Sequence, residues 1–382
     1  MPISRVAVIF DNTQRPETTG TYCLRALRDL VETEHFLPHE LDRIPREGFD
    51  LYLNIDDGLR YQLPPELHPI AYWAIDTHLD PVWHAHKGRQ FDLVFAAQRD
   101  GAESLRRAGI NSSAWLPLAC DPELHGKHEV AEQYDVAFVG NVFPGPRADL
   151  LNLIRRKYPN SFIGQCYFEE MAKTYSAART VFNRSITNDV NMRVFEGLAS
   201  GSLLVTNDLS ENGLAEIFRD GVHLATYRDH EDLLDKLAFY LRRDSLREEI
   251  AAAGRAEVVE KHTYRHRMEQ VLQRAEAISS RRVVAPDMPD VSSPTRGDTT
   301  EPGVLTPGLA STASRAGHDP TYFDHVRPEV LALVPETALA VLDIGCGAGR
   351  LGEAIKLRQR AEVIGVESGN RTDQGAAPRR CR

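Results

Sequence analysis

The sequence predicts an α/β protein with two successive Rossmann-like domains, each built on a parallel sheet, followed by a linker and a third, partial α/β unit. Three observations carry that prediction. Apolar runs of roughly four to eight residues alternate with helical segments from Arg5 onward, the pattern of parallel strands covered on both faces. The alternation restarts near Tyr134. Residues 282–319 then turn to Pro, Ser, Thr, Gly and Asp and are nearly empty of aromatics, so they cannot bury enough apolar surface to offset the entropy of ordering. At roughly 100–200 residues per domain, a chain of 382 residues has room for this layout.

In the first domain, residues 1–130, strands are expected at "RVAVIF", "DLYLNID", "PIAYWAID", "DLVFAAQ" and "SAWLPLA", with helices at "TYCLRALRDLVE" and "DGAESLRRAG". The second domain, residues 131–281, repeats the scheme through "YDVAFVGN", "ADLLNLIRRKY", "SFIGQCY", "FEEMAKTYSAA", "TVFNRSI", "NMRVFEGLASG", "SLLVTND", "GLAEIFRDG" and "VHLATY". Three helical stretches without strands between them, "EDLLDKLAFYLRRD", "SLREEIAAAGRAEVVEKH" and "YRHRMEQVLQRAEAIS", are expected to close the second domain. Residues 282–319 are expected to be a disordered linker, and residues 320–382 to give helix, strand, helix, strand.

Composition excludes several classes. A net charge of −10 gives no overall attraction to nucleic acid or anionic lipid. Cys23, Cys120, Cys166, Cys346 and Cys381 stand far apart without a CxxC pair, so neither a zinc site nor a disulfide framework is indicated. They fit reduced thiols in a cytoplasmic protein. No stretch approaches the ~18 apolar residues of a membrane span, and the first residues lack the form of a signal peptide.

Near the end, "VLDIGCGAGR" places Gly345, Gly347 and Gly349 in a turn after an apolar strand, where absent side chains let backbone N–H groups approach a ligand. Glu367 closes the next strand, placed to accept hydrogen bonds from ribose hydroxyls. Together these motifs resemble the opening of a class I S-adenosylmethionine-dependent methyltransferase. About 63 residues follow the linker, too few for such a core, so the segment is expected to be a truncated fragment and S-adenosylmethionine is not expected as a cofactor. Function is therefore sought upstream.

There, "NRSITNDVNMRVFEGLASGSLLVTNDLSENGLAEIFRDGVHLATY" and the "EKHTYRHRM" ending resemble the donor-binding region of group 1 glycosyltransferases, most nearly the CgeB-like, spore-maturation-type branch. The resemblance implies a GT-B fold, two Rossmann-like domains facing a cleft. It also implies transfer of a sugar from a nucleotide diphosphate sugar (UDP-, GDP- or dTDP-linked) to a glycan, cell-surface or spore-related acceptor, in an EC 2.4 hexosyltransferase type of reaction. No metal is expected. A nucleotide-sugar epimerase of the same architecture, a two-lobed binding protein and a methyltransferase are the alternatives.

Glu196 lies in the first turns of a helix starting near Asn191, where a carboxylate can accept two hydrogen bonds from a ribose diol. As a cleft-facing group it is expected to support no core packing. Arg193, three residues earlier, can pair with Glu196 or with phosphate. Asn183 and Asn191 flank the same loop and can bind sugar hydroxyls or serve as turn and cap residues. Many group 1 enzymes carry a glutamate eight residues before the position of Glu196, where this chain has Asn188. In "AFVGNVFPGPR", Gly140 and Asn141 end a strand, and the loop to Arg147 can present backbone donors and a cation to a diphosphate. In the first domain "YWAIDTHLDPVWHAH" gathers polar and aromatic residues at a strand's C-terminal end. Asp76 or His78 is the candidate general base, and Trp73 or Trp83 the candidate platform for a sugar ring. Asp11 and Asn12, with Thr19 and Gly20, are further candidates to face the cleft.

Overall fold

A computed structural model describes residues 2–284, 331, 334–344 and 350–366. The chain divides into two units, Met1–Asp290 and Val291–Arg382.

The first unit holds two parallel sheets. In the first, β1 (Arg5–Ile9), β2 (Glu32–Phe36), β3 (Leu51–Ile55), β4 (Ile70–Ala74), β5 (Leu93–Ala96) and β6 (Ser113–Trp115) lie in the order β2-β1-β3-β4-β5-β6. β1, β3, β4 and β5 are buried along nearly their whole length because helices cover both faces. Those helices are α1 (Thr19–Arg28), α2 (Pro81–Gly88) and α3 (Arg99–Arg107). α2 starts where it does for a local reason: Asp80 accepts from the Trp83 N–H at 2.9 Å and Pro81 fixes the first helical φ. A short helix, α4 (Pro122–His125), capped in the same way by Asp121, occupies the passage to the second sheet.

The second sheet comprises β7 (Tyr134–Val139), β8 (Ser161–Gly164), β9 (Ala178–Asn183), β10 (Leu203–Asn207) and β11 (Ala225–Tyr227), in the order β11-β10-β9-β7-β8. Between its strands run α5 (Pro146–Lys157), α6 (Phe168–Ser176), α7 (Met192–Ala199) and α8 (Leu214–Ile217), and after it come α9 (His230–Leu241), α10 (Asp244–Lys261) and α11 (Tyr264–Val284). In both sheets the strand order reverses once, between β1 and β3 and between β7 and β9. At such a reversal the connecting helices leave to opposite faces and open a crevice at the strands' C-terminal ends.

Two expectations are corrected. α11 does not close the second domain. It lies along α1 of the first, where the Arg267 guanidinium donates to the Pro117 carbonyl at 2.7 Å and the Ile3 N–H donates to the Glu276 carboxylate at 3.1 Å. The chain thus crosses between the sheets twice, and the crossings meet as a parallel bridge between Cys120 and Thr263. The segment assigned to the linker from residue 282 begins inside a helix, since α11 runs to Val284; residues 285–319 lie outside the described residues.

In the second unit β12 (Ala340–Ile344) and β13 (Glu362–Val366) pair in parallel, with α12 (Arg350–Arg358) between them. Gly345, Gly347, Gly349 and Glu367 lie outside the described residues. Among the described residues no helix is long and apolar enough to cross a membrane.

Candidate functional site

The reversal between β7 and β9 holds the densest set of sequence-predicted residues. Phe138, second-last in β7, is fully buried and supports two guanidinium groups, Arg193 at 4.5 Å and Arg147 at 5.6 Å from the ring centroid. Arg193, from the first turn of α7, donates through Nε to the Val139 carbonyl at 2.9 Å and through Nη1 to Asn183 Oδ1 at 2.8 Å. Arg147, from the first turn of α5, donates to the Asn141 carbonyl at 2.8 Å, while its Nε is buried without a partner. Gly140 makes this approach possible, because a Cβ there would stand 2.5 Å from Arg193 Nη2 and its φ of 148° suits glycine.

Among the described residues no carboxylate lies within ion-pair distance of either guanidinium. Two like charges share one ring, and burial together with Arg193 lowers the pKa of Arg147 to about 10, a shift that Asp189 opposes. The cationic pair is held by carbonyls and a ring, with no carboxylate at ion-pair distance among the described residues, and it carries the charge an anion would complement.

Glu196 departs from expectation. It is only 8% exposed rather than solvent-facing, and it makes no ion pair with Arg193, which turns the other way toward the sheet. Burial pushes its pKa up to about 7, although the Arg193 charge pulls it down. Its carboxylate lies 3.9 Å from Nε2 of His125, a fully buried ring on α4.

Asn183 is also corrected as a sugar contact. It is fully buried, and both ends of its amide are used, Nδ2 donating to Thr206 at 3.0 Å and Oδ1 accepting from Arg193. It positions Arg193 instead. Asn191 precedes α7 at the cap position but forms no side-chain cap bond, and its Oδ1 is buried without a partner. Asn141 is exposed and accepts from Gln165. Asn188 adopts φ 59°, left-handed backbone that asparagine tolerates, and its carbonyl accepts from Asn212 at 2.7 Å.

On the first sheet Asp76 follows β4. The residue is exposed, and partial desolvation of its carboxyl raises its pKa, with His78 and Arg15 opposing and Asp56 and Asp189 adding to the rise. Asp189 belongs to the loop after β9, on the other sheet. Two contacts close the gap nearby: the Asp100 N–H donates to Asn212 Oδ1 at 3.1 Å, and Arg99 pairs with Glu216. His78 Nδ1 is buried without a partner.

Trp73 is not a sugar platform. It is 0% exposed, and its indole N–H donates to the Leu116 carbonyl at 3.1 Å. Trp83 is partly exposed and already covered by Arg60. Asp11 is consumed by a local turn with Thr13 and Gln14, and Thr19 and Gly20 are buried, a Cβ on Gly20 standing only 2.2 Å from the Phe10 ring.

Residues 125–273 match a family described as glycosyl transferase-like. No curated protein matches the chain in sequence. Similar solved structures include the Anabaena protein HepE in complex with UDP and glucose, at 12% identity over 72% of this chain and 99% of that one, TM-score 0.53. Sucrose-phosphate synthase from Thermosynechococcus elongatus is similar at 12% identity over 73% of this chain and all of that one, TM-score 0.51. An alpha-glucosyltransferase in complex with UDP and a 13-mer DNA is similar at 9% identity over 71% and 99%, TM-score 0.53. At such identity the likeness is one of architecture, and the architecture is GT-B.

Three residues within the matched stretch went unmarked by the sequence. Phe138 looked like any strand residue, although "AFVGN" placed it two positions before the glycine. Asp189 sat unremarked inside a quoted motif. His125 carried no signal, since nothing in "CDPELHG" tells that its ring meets a residue 71 positions later.

Proposed function

We propose that the chain transfers a sugar from a nucleotide diphosphate sugar to a glycan-type acceptor, as a hexosyltransferase of the CgeB-like branch working in the cytoplasm. One observation supports this above the rest: the Arg147 and Arg193 guanidiniums, without a carboxylate partner among the described residues, sit over Phe138 at the β7/β9 reversal beside the bare backbone of Gly140. In this reading the diphosphate lies on the two arginines, which offset the leaving-group charge without metal. Glu196 accepts from the ribose, and Asn141 and Asn191 line the sugar. Asp76, with His78 beside it, serves the acceptor from the opposite edge as general base.

Residues 1–130 form the acceptor side and 131–281 the donor side, with α11 lent back to the first. The β12–α12–β13 unit we read as the opening of a methyltransferase-like core that takes no part in transfer.

The test is calorimetric titration with UDP-, GDP- and dTDP-glucose. At least one is expected to bind in the micromolar range, and Arg193→Met is expected to weaken it at least tenfold, since hydrogen bonds to charged groups contribute about 1.5–3 kcal/mol. No binding by any of the three, or wild-type affinity in Arg193→Met, overturns the proposal.

A further inference from the structure

The His125 ring is anchored at one nitrogen and idle at the other. The Asp121 N–H donates to Nδ1 at 3.0 Å, so in the neutral ring the proton sits on Nε2. Burial pushes the His125 pKa down to about 4, with Asp121 opposing and Arg25 adding to the fall, so the ring is neutral near pH 7. Nε2 is fully buried, has no hydrogen-bond partner, and stands 3.9 Å from Glu196 Oε1, a gap too wide for a hydrogen bond. An idle buried donor is unfavourable, and a carboxylate is the acceptor that would satisfy it best.

We propose that His125 is the positioning residue for Glu196: when a nucleotide sugar binds, the carboxylate moves about 1 Å onto His125 Nε2 and presents its other oxygen to the ribose. This rests on the donor reading of Glu196 given above. A neutral carboxylic acid can do neither task fully, so binding is coupled to loss of the Glu196 proton to solvent. The charge balances as a protonated Glu196 plus donor giving an ionised Glu196 with bound donor and one released proton.

The surroundings leave Glu196 as the group that changes charge in the neutral range. Tyr22 from α1, Tyr175 from α6 and Tyr264 from α11 all have pKa values raised by burial, and Cys120 is pushed up to about 12. Arg25 is already paired with Asp121 and Glu123, and Arg193 faces the sheet. With the free Glu196 titrating near about 7, donor affinity should rise about tenfold from about pH 6 to about pH 8 and level off above.

The experiment titrates UDP-, GDP- and dTDP-glucose, whose diphosphate diesters do not titrate in this range, into wild-type protein by calorimetry in buffers of different ionisation enthalpy. Expected are the tenfold rise and close to one proton released at about pH 6, falling toward none above about pH 8. His125→Phe should lose at least fivefold in affinity and shift the rise to higher pH. His125→Gln, which keeps an N–H where Nε2 stood, should restore most of both, a rescue that a purely structural role would not give. A flat pH profile without proton release, in a protein whose affinity still falls in Glu196→Gln, overturns this inference and leaves the donor site standing. So does a His125→Phe variant that matches wild type in affinity and pH profile. Absence of binding by all three sugars at every pH overturns the donor site and this inference with it.

Discussion

Replacing Glu196 by glutamine should stabilise the empty protein, and by an amount that depends on pH. Glu196 is 8% exposed, and burial raises its carboxyl pKa from 4.5 to about 7. A raised folded value means that the group costs nothing below about pH 4.5, where folded and unfolded chains are both protonated. Between about 4.5 and 7 the unfolded chain ionises first, so stability drains away, and above about 7 the whole cost remains. At about 1.4 kcal/mol per pKa unit, the shift amounts to about 3 kcal/mol. Glutamine fills the same space without titrating. The difference in unfolding free energy between variant and wild type, measured by urea denaturation, should therefore be small near about pH 4.5. It should grow to about 3 kcal/mol in favour of the variant near about pH 8, while every group the two proteins share cancels. A difference that stays constant over that range would refute the claim that burial governs this carboxyl.

Three further outcomes are expected. Gly140→Ala sets a methyl 2.5 Å from Arg193 Nη2, so it should weaken nucleotide sugar binding about tenfold by calorimetry for a stability loss near 1 kcal/mol; undiminished affinity would count against the arginine pair. Asp76→Asn should lower the transfer rate by about 10²–10⁴-fold with donor affinity kept, and the wild-type rate should rise with pH through a midpoint above the ordinary aspartate range, because the Asp76 pKa is raised by burial. Trp73→Ala should cost about 3–5 kcal/mol in urea denaturation with no selective loss of sugar binding, since the ring is fully buried.

The sequence made both sheets legible wherever a strand is buried on two faces, because "RVAVIF" or "SLLVTN" admits few other structures. It failed at β2, "ETEHF", an edge strand in which only Phe36 is buried; one covered face and one paired side leave no apolar run to see. α11 was legible as a helix but not as a partner of α1, since an amphipathic stripe states that it must be covered and not by what. At the site, "RVFEGLASG" located α7 and its charged residues, yet whether a side chain meets solvent is decided by elements far along the chain. Asn183 and Trp73 were quoted as polar and aromatic candidates by type. Asn183 is taken up by Thr206 and Arg193, and Trp73 by the Leu116 carbonyl. Linear order carries no trace of those assignments.

The double crossing between the sheets has a mechanical consequence. A chain that passes between two bodies once leaves them free to twist and swing in several directions. Here two passes run side by side and are bridged at Cys120 and Thr263, so torsion about the connection would have to shear that bridge, whereas bending across it would not. The bridge does not act alone, because one continuous apolar cluster runs through both sheets and Asp100–Asn212 and Arg99–Glu216 tie their edges. His125 stands five residues beyond Cys120, on the helix capped by Asp121, so the segment that ties the two passes together also carries the ring beside Glu196.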